Sequence, residues 1–92
     1  MSVAETIRSK LEKAFPSAAV EVIDESHRHK GHAGASPEGE THFRITVVTS
    51  AFDGLSLLAR QRAVNAALKD ELAGPVHALA MKALTPSEAE AQ

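Results

Sequence analysis

The sequence predicts a single α+β domain in which helices pack on one face of a three-stranded sheet. Two stretches repeat apolar residues at helical spacing, and three shorter stretches are β-branched or alternate like strands. The predicted order is α-β-β-α-β-α, the last element being a short terminal helix. A chain of 92 residues has room for one such domain, 1–92, and so few elements favour placing both main helices on the same face.

The first half of the chain predicts a helix and two strands. A capping box of Ser2 and Glu5 opens the helix, which we expect over about 2–15 because a proline follows it. Short β-branched stretches predict strands at 19–23 and 42–49. The second of these strands places three apolar residues on one face, namely Phe43, Ile45 and Val47.

The second half predicts a helix, a strand and the terminal helix. Gly54 breaks the chain, Ser56 caps the second helix, and a Gly-Pro pair ends that helix. Residues 76–83 alternate like a strand, and a second capping box starts the terminal helix, whose Ala/Glu-rich end, 86–92, we expect to fray. The apolar stripe predicted for the second helix comprises Leu57, Leu58, Val64, Leu68 and Leu72.

Charge and hydropathy exclude several classes of protein. The formal net charge of -2 lacks the strong positive field of a dedicated nucleic-acid binder. No apolar run approaches the roughly 20 residues that cross a membrane. Acidic residues interrupt the first 14 positions, where a signal peptide would need an apolar segment. We therefore expect no membrane association and a location in the cytoplasm or an organelle matrix.

The chain contains no cysteine. Disulfides, a thiol nucleophile and an iron–sulfur cluster ligated by cysteines of this chain are therefore excluded. Any metal site must use histidines and carboxylates, or take thiolates from a partner.

One segment, residues 24–41, is too long for the hairpin that it connects. Hairpins need about 2–5 connecting residues, and loops longer than roughly 12–15 are usually functional or disordered. The segment has no large apolar residue, several glycines, and three of the five histidines, which are His27, His29 and His32. It is either a flexible, solvated loop or a loop that can wrap around a ligand.

His77 is the other candidate, because it begins the third predicted strand in line with Leu79 and Met81. It could be a half-buried histidine that satisfies a nearby carbonyl, or a metal ligand on a rigid strand end. With one loop histidine it gives a two-ligand site, fewer than a self-sufficient zinc site needs. Two histidines fit a site that another protein completes.

Other motifs carry little weight. Gly31-His32-Ala33-Gly34 matches the GxxG of KH domains but lies between strands. No glycine-rich phosphate loop and no nucleophile elbow is present. The second helix carries cations on the side predicted to be exposed, which fit a solvated face or a docking surface for an acidic partner or DNA phosphates: Arg60, Arg62 and Lys69.

Several motifs, in order from about residue 3 to residue 86, resemble the BolA family. They are Asp24-Glu25-Ser26, the His-rich loop, Gly39-Glu40-Thr41-His42-Phe43, Phe52-Asp53-Gly54-Leu55-Ser56, Arg60-Gln61-Arg62 and Val76-His77-Ala78-Leu79-Ala80. Each motif alone is weak, but the combination is specific. The family's usual Arg-His-Arg is Arg-Gln-Arg here, which keeps both cations and lacks the central histidine.

The resemblance implies a fold related to the class II KH domain and partnership with a monothiol glutaredoxin. In such a heterodimer a bridging [2Fe–2S] cluster is held by the glutaredoxin cysteine, a glutathione thiol and histidine from the BolA protein. The chain would then be a non-enzymatic adaptor in cluster trafficking or iron regulation, and alone a monomer or weak homodimer. The resemblance also implies an alternative function as a DNA-binding transcriptional regulator.

By resemblance, His77 matches the C-terminal cluster histidine of the family. The loop ligand has two candidates. The position relative to the preceding Asp-Glu-Ser motif indicates His29, whereas the Gly-His context indicates His32. We favour His32, because the glycines that flank it would let its imidazole swing towards an iron that His77 also binds.

Overall fold

The structure, a computed structural model, describes residues 2–25, 42–74, 76 and 78–91, which form four helices and three strands. The elements are α1 (Val3–Ala14), β1 (Ala19–Asp24), β2 (His42–Val48), α2 (Leu57–Ala67), α3 (Lys69–Ala73), β3 (Ala78–Leu84) and α4 (Pro86–Glu90), with a 3-10 turn at Ser50–Phe52. The predicted α+β class is confirmed. Asp24 belongs to β1, so it was wrong to assign this residue to the loop.

The strands form one mixed sheet in the order β1-β2-β3. β1 and β2 are antiparallel, whereas β2 and β3 are parallel. A parallel connection needs a crossover, and α2 and α3 supply it. β2 is therefore the central strand, and β1 and β3 form the two edges of the sheet within the described residues.

The core lies between β2 and the two longest helices. The apolar face predicted for β2 is buried, with Phe43 2% exposed and both Ile45 and Val47 fully covered. The same cluster contains Ile7 and Leu11 from α1, Val64 from α2, and Leu68, which follows α2. Each such side chain contributes roughly 1.5–3 kcal/mol relative to exposure. Both main helices thus pack on one face of the sheet, as predicted.

The first helix follows its sequence signals closely. The Ser2 hydroxyl accepts a hydrogen bond from the Glu5 N–H at 3.1 Å, which caps the helix as predicted. Phe15, at the C-terminal cap, packs edge-on against Phe52 with ring centroids 5.2 Å apart. Ser17 then takes φ 68°, a left-handed turn that leads the chain into β1.

The second helix departs from its predicted stripe. Leu57 and Leu58 are 68% and 54% exposed, so the prediction that they face the core is wrong. Leu57 lies in the first turn, beside an open groove at β3, and Leu58 is turned about 100° further around the helix. The helix also ends at Ala67, because Leu68 (φ -109°, ψ 21°) leaves helical geometry before α3 begins.

The terminal helix has the predicted capping box. The Glu88 N–H donates to the Thr85 hydroxyl at 3.2 Å, and the Thr85 N–H donates to the Glu88 carboxylate at 2.9 Å. Pro86 fits the first helical turn, where its missing N–H is not needed. Residues 86–90 are helical, and the fraying expected of the end stays a prediction.

Candidate functional site

The three histidines predicted as ligands, His29, His32 and His77, lie outside the described residues, and no outcome for them follows. The flexibility expected of the loop is likewise untested, because 26–41 is outside that range. The structure does describe the residues that flank these positions. Those residues define the candidate site.

The flanking residues lie at one end of the sheet. Glu25 is the last described residue before the loop, and its N–H donates to the His42 carbonyl at 2.8 Å. His42, the first residue of β2, is the Cα partner of Ala78, the first residue of β3. Both ends of the loop and the residue after His77 are therefore neighbours in the sheet. Sequence reasoning could not find this, because it depends on the register between strands.

Polar side chains occupy the open face at this end. The Glu25 carboxylate accepts a hydrogen bond from Arg44 Nε at 3.2 Å. The Glu25 side chain is 14% exposed and that of Arg44 is 50% exposed, so the guanidinium still reaches solvent. His42 is half-buried on the same face, opposite the buried Phe43. Strand alternation in the sequence predicted the face of His42 and Arg44, but the contact with Glu25 required the antiparallel pairing.

The chain just before His77 is fixed to α3. Val76 is 4% exposed, and its N–H donates to the Glu71 carbonyl at 3.0 Å. The buried Glu71 carboxylate lies 2.8 Å from Lys10 Nζ, which also lies 3.5 Å from Asp70. The hydrogen bond to Glu71 raises the pKa of Lys10 above its ordinary value of 10.5. This ion pair links α3, and with it Val76, to α1.

Arg60 corrects the prediction of three exposed cations on the second helix. It is 6% exposed, and its guanidinium donates to the carbonyls of Ala83 at 3.0 Å and Leu55 at 3.1 Å. It also pairs with the Glu88 carboxylate at 2.6 Å and lies 5.9 Å from the Phe52 ring centroid. Burial is tolerated because carbonyls and a carboxylate satisfy the charge.

The Arg60 contact changes the titration of its partner. The hydrogen bond from Arg60 is the main reason that the pKa of Glu88 is lowered from its ordinary 4.5. Arg62 and Lys69 are exposed, as predicted. They remain available to a partner, whereas the donors of Arg60 are directed into the fold.

The described residues contain neither a cluster of metal-ligating side chains nor a membrane-spanning helix. No three side chains of His, Cys, Asp or Glu in residues 2–25, 42–74, 76 and 78–91 lie close enough to hold a metal ion. In the same ranges no helix has the length and apolar character required to cross a membrane.

Comparison with known proteins gives matches along nearly the whole chain. The family described as BolA-like protein matches residues 11–88. BolA-like protein 1 of Bos taurus is 55% identical over 82 residues, which cover 89% of this chain and 58% of that protein. This chain therefore spans little more than half the length of that relative. The DNA-binding transcriptional regulator BolA of Escherichia coli (strain K12) is 40% identical over 90 residues, which cover 98% of this chain and 82% of that protein.

Similarity extends to solved structures. The BolA domain of SufE1 from Arabidopsis thaliana superposes on this chain with a TM-score of 0.83 at 43% sequence identity. The superposition covers 96% of each chain.

Proposed function

Because the chain belongs to the BolA-like family, we propose that it is a non-enzymatic adaptor that shares a [2Fe–2S] cluster with a monothiol glutaredoxin. The cluster is the cargo of the complex, in trafficking or iron regulation. The observation that carries this proposal is the meeting of both loop ends and the start of β3 at one end of the sheet. The proposed ligands, His77 and a loop histidine, are attached to that end.

The donor set of the chain fits one half of such a site. Imidazole binds iron, and two histidines replace two cysteines on one iron of some [2Fe–2S] centres. With no cysteine in the chain, thiolates for the other iron come from the glutaredoxin and glutathione. Neutral imidazoles leave less negative charge at the cluster than thiolates do, which raises its potential and makes ligation sensitive to protonation.

The anchoring of Val76 supports His77 as one of the two proposed ligands. The residue before His77 is buried and hydrogen-bonded to α3, and the residue after it begins β3. A ligand held on a rigid element needs little reorganisation when the partner arrives. We propose that His32 supplies the second, adaptable ligand, with His29 as the alternative.

Reconstitution with the partner tests the function. The chain is mixed anaerobically with a monothiol glutaredoxin, glutathione, ferrous iron and sulfide, and the visible spectrum and the mass of the complex are recorded. We expect a heterodimer whose spectrum differs from that of the cluster on glutaredoxin alone. His77→Ala should abolish or alter that spectrum with an unchanged far-ultraviolet circular dichroism spectrum, whereas the control His27→Ala should behave as wild type. An unchanged spectrum and unchanged cluster lability in His77→Ala would contradict the proposal.

The same assay decides between the loop ligands. Metal–nitrogen bonds of about 2.0–2.1 Å bring two imidazole nitrogens on one iron to roughly 3–4 Å from each other. His32→Ala should therefore disturb the cluster, and His29→Ala should not. A disturbed cluster only in the His29→Ala variant would transfer the role to His29.

A DNA-binding regulator is the second candidate. It is supported by the name of the Escherichia coli relative and by the exposed cations Arg62 and Lys69. The net charge of -2 leaves this function dependent on a local patch. DNA affinity that falls steeply with salt and weakens in Arg62→Gln, without any heterodimer formation, would favour this candidate over the adaptor.

A further inference from the structure

The outer edge of β3 borders an apolar groove at the first turn of α2. The groove has a volume of about 230 Å³. Its lining consists of Leu57, Gln61, Met81, Lys82, Ala83 and Leu84. Leu57 is 68% exposed although it lines the groove, so the described part of the chain leaves this apolar surface open to solvent. Contiguous exposed apolar surface marks interaction sites, whereas single exposed side chains do not, and here exposed Leu57 adjoins the apolar lining residues Met81 and Leu84.

Hydrogen bonding in the sheet determines which β3 groups face outwards. The bond from Glu25 N–H to the His42 carbonyl directs the His42 backbone towards β1. Because this direction alternates along a strand, the backbone groups of Ile45 are directed towards β3. Met81 is the Cα partner of Ile45 in the parallel pair of β2 and β3. In such a pair the N–H and C=O of Ile45 bond to the residues on either side of Met81, which are Ala80 and Lys82. The N–H and C=O of Met81 itself therefore point away from the sheet.

The same alternation gives Leu79 and Ala83 outward-facing backbone groups. Two hydrogen bonds agree with this alternation. The Thr49 N–H donates at 3.0 Å to the Leu84 carbonyl, which points towards β2, and Arg60 donates at 3.0 Å to the Ala83 carbonyl, which points away from β2. Since no described strand pairs with this edge, the outward backbone groups of Leu79 and Met81 have no strand partner among the described residues. An edge of this kind can accept an added strand. The Arg60 bond limits that strand to the part of β3 before Ala83.

The charge beside the groove indicates which side chains a strand added by a partner should carry. Lys82 is exposed on the face opposite the buried side chains, and it forms no ion pair with a described residue. Glu88, the nearby acid of α4, is already paired with Arg60. Beside the groove, Lys82 therefore carries a positive charge that no acidic side chain of the described residues pairs with, and an acidic side chain of a partner would complement it.

We propose that the β3 edge and this groove bind an extended segment of a partner protein in which apolar and acidic residues alternate. The segment pairs with the outward groups of Leu79 and Met81. Because strand side chains alternate between faces, its apolar residues enter the groove against Leu57 and its acidic residues meet Lys82. On β3 the groove is lined by Met81 and the residues after it, so binding there can be measured on the protein without a cluster.

A second copy of the chain fits this edge less well. Antiparallel pairing of two β3 strands about Met81 would place the two Lys82 residues diagonally on the same face, where like charges repel. The Ala83 carbonyl of each copy is also already occupied by Arg60. Charge complementarity therefore favours an acidic partner segment over self-association.

Peptide titration of the 92-residue chain, followed by NMR of its amides, tests the proposal. The probe is a blocked eight-residue peptide that alternates valine and glutamate, compared with its valine–lysine counterpart. We expect the glutamate peptide to shift the amides of 79–84 and to slow hydrogen exchange at Leu79 and Met81. The lysine peptide should bind about threefold to fivefold more weakly, the range expected for exposed charge pairs.

Matched variants separate the groove from its surroundings. Leu57→Ser should weaken binding of the glutamate peptide about tenfold through lost apolar burial, whereas the neighbouring Leu58→Ser should leave it unchanged. Lys82→Glu should reverse the preference between the peptides, and Lys13→Glu on α1 should not. The proposal is overturned by absent saturable binding, by shifts confined to other residues, by protection of Leu79 and Met81 that rises with protein concentration alone, or by tighter binding of a single-stranded oligonucleotide at these amides.

Discussion

The two ends of β3 use charged groups differently. At its C-terminal end, Arg60 is buried and donates to the Ala83 carbonyl and the Glu88 carboxylate. At its N-terminal end, the chain is anchored through Val76, and the Arg44 guanidinium on the open face of the sheet stays half exposed.

Because of this difference, we expect the charged groups at one end of β3 to stabilise the fold and those at the other end to be available for binding. A buried charge with internal partners holds the fold, because its removal leaves carbonyls and a carboxylate without their donor. Half-exposed groups beside the proposed ligand positions contribute little to stability and can interact with a partner. Loss of the Arg60 guanidinium should therefore destabilise the fold, whereas loss of the half-exposed Arg44 guanidinium should change stability little and can alter binding.

The largest effect is expected for Arg60→Met. Loss of the guanidinium leaves the Ala83 and Leu55 carbonyls without a donor, and it should lower the free energy of unfolding by about 2–4 kcal/mol. Urea unfolding measures this change. The exposed Arg62→Met on the same helix should change stability by less than about 0.5 kcal/mol, and equal losses in the two variants would remove the distinction between the ends of β3.

Val76→Ala should have the next largest effect. The side chain is 4% exposed, so loss of its two methyl groups should cost about 1–2 kcal/mol in urea unfolding. Val48→Ala, at a half-buried position on the open face, is the control and should cost less. A loss for Val76→Ala no larger than that of Val48→Ala would show that the N-terminal end of β3 is not anchored there.

The ion pairs of Glu88 with Arg60 and of Lys10 with Glu71 should lose their stabilising effect at opposite extremes of pH. The pKa of Glu88 is lowered in the folded state, so its contribution is present above its ordinary 4.5 and is lost as pH falls through the lowered value. The pKa of Lys10 is raised, so its contribution is present below 10.5 and is lost as pH rises through the raised value. Glu88→Gln should reduce only the acid dependence of urea unfolding, and Lys10→Met only the alkaline dependence. Glu90→Gln is the acid control, and an identical pH profile in Glu88→Gln and wild type would contradict the account.

The smallest effect is expected for Arg44→Gln. Its ion pair with Glu25 is half exposed, so unfolding free energy should fall by less than about 1 kcal/mol. A loss as large as that of Arg60→Met would show that the charged groups at both ends of β3 stabilise the fold equally.

The helices show what sequence reasoning could and could not predict. α1 was predicted almost completely, because its cap, its stripe and the proline after it are all local signals. In α2 the same reasoning placed Leu57 and Leu58 inwards and Arg60 outwards, the reverse of their burial. Periodicity identifies a helix face but not where the sheet beneath it ends, and the carbonyl and carboxylate partners of Arg60 come from distant residues.

In the candidate site, too, some features follow from the local sequence and others depend on the pairing of distant strands. Residue types led to the prediction that the long loop and His77 contribute to a shared metal site, and that stays a prediction because the loop histidines and His77 lie outside the described residues. The meeting of Glu25, His42 and Ala78 depends on pairing between strands that are far apart in the chain. No local pattern contains that register.

The central claim is that histidines of this chain bind the shared cluster, and nitrogen hyperfine spectroscopy tests it most directly. The chain is labelled with ¹⁵N-histidine, combined with unlabelled glutaredoxin and glutathione, and its reduced [2Fe–2S] complex is measured by electron–nuclear double resonance. We predict ¹⁵N couplings of directly bound imidazole in the wild-type complex and their reduction in His77→Ala. A spectrum without such couplings, from a complex that contains both proteins and the cluster, would contradict the claim.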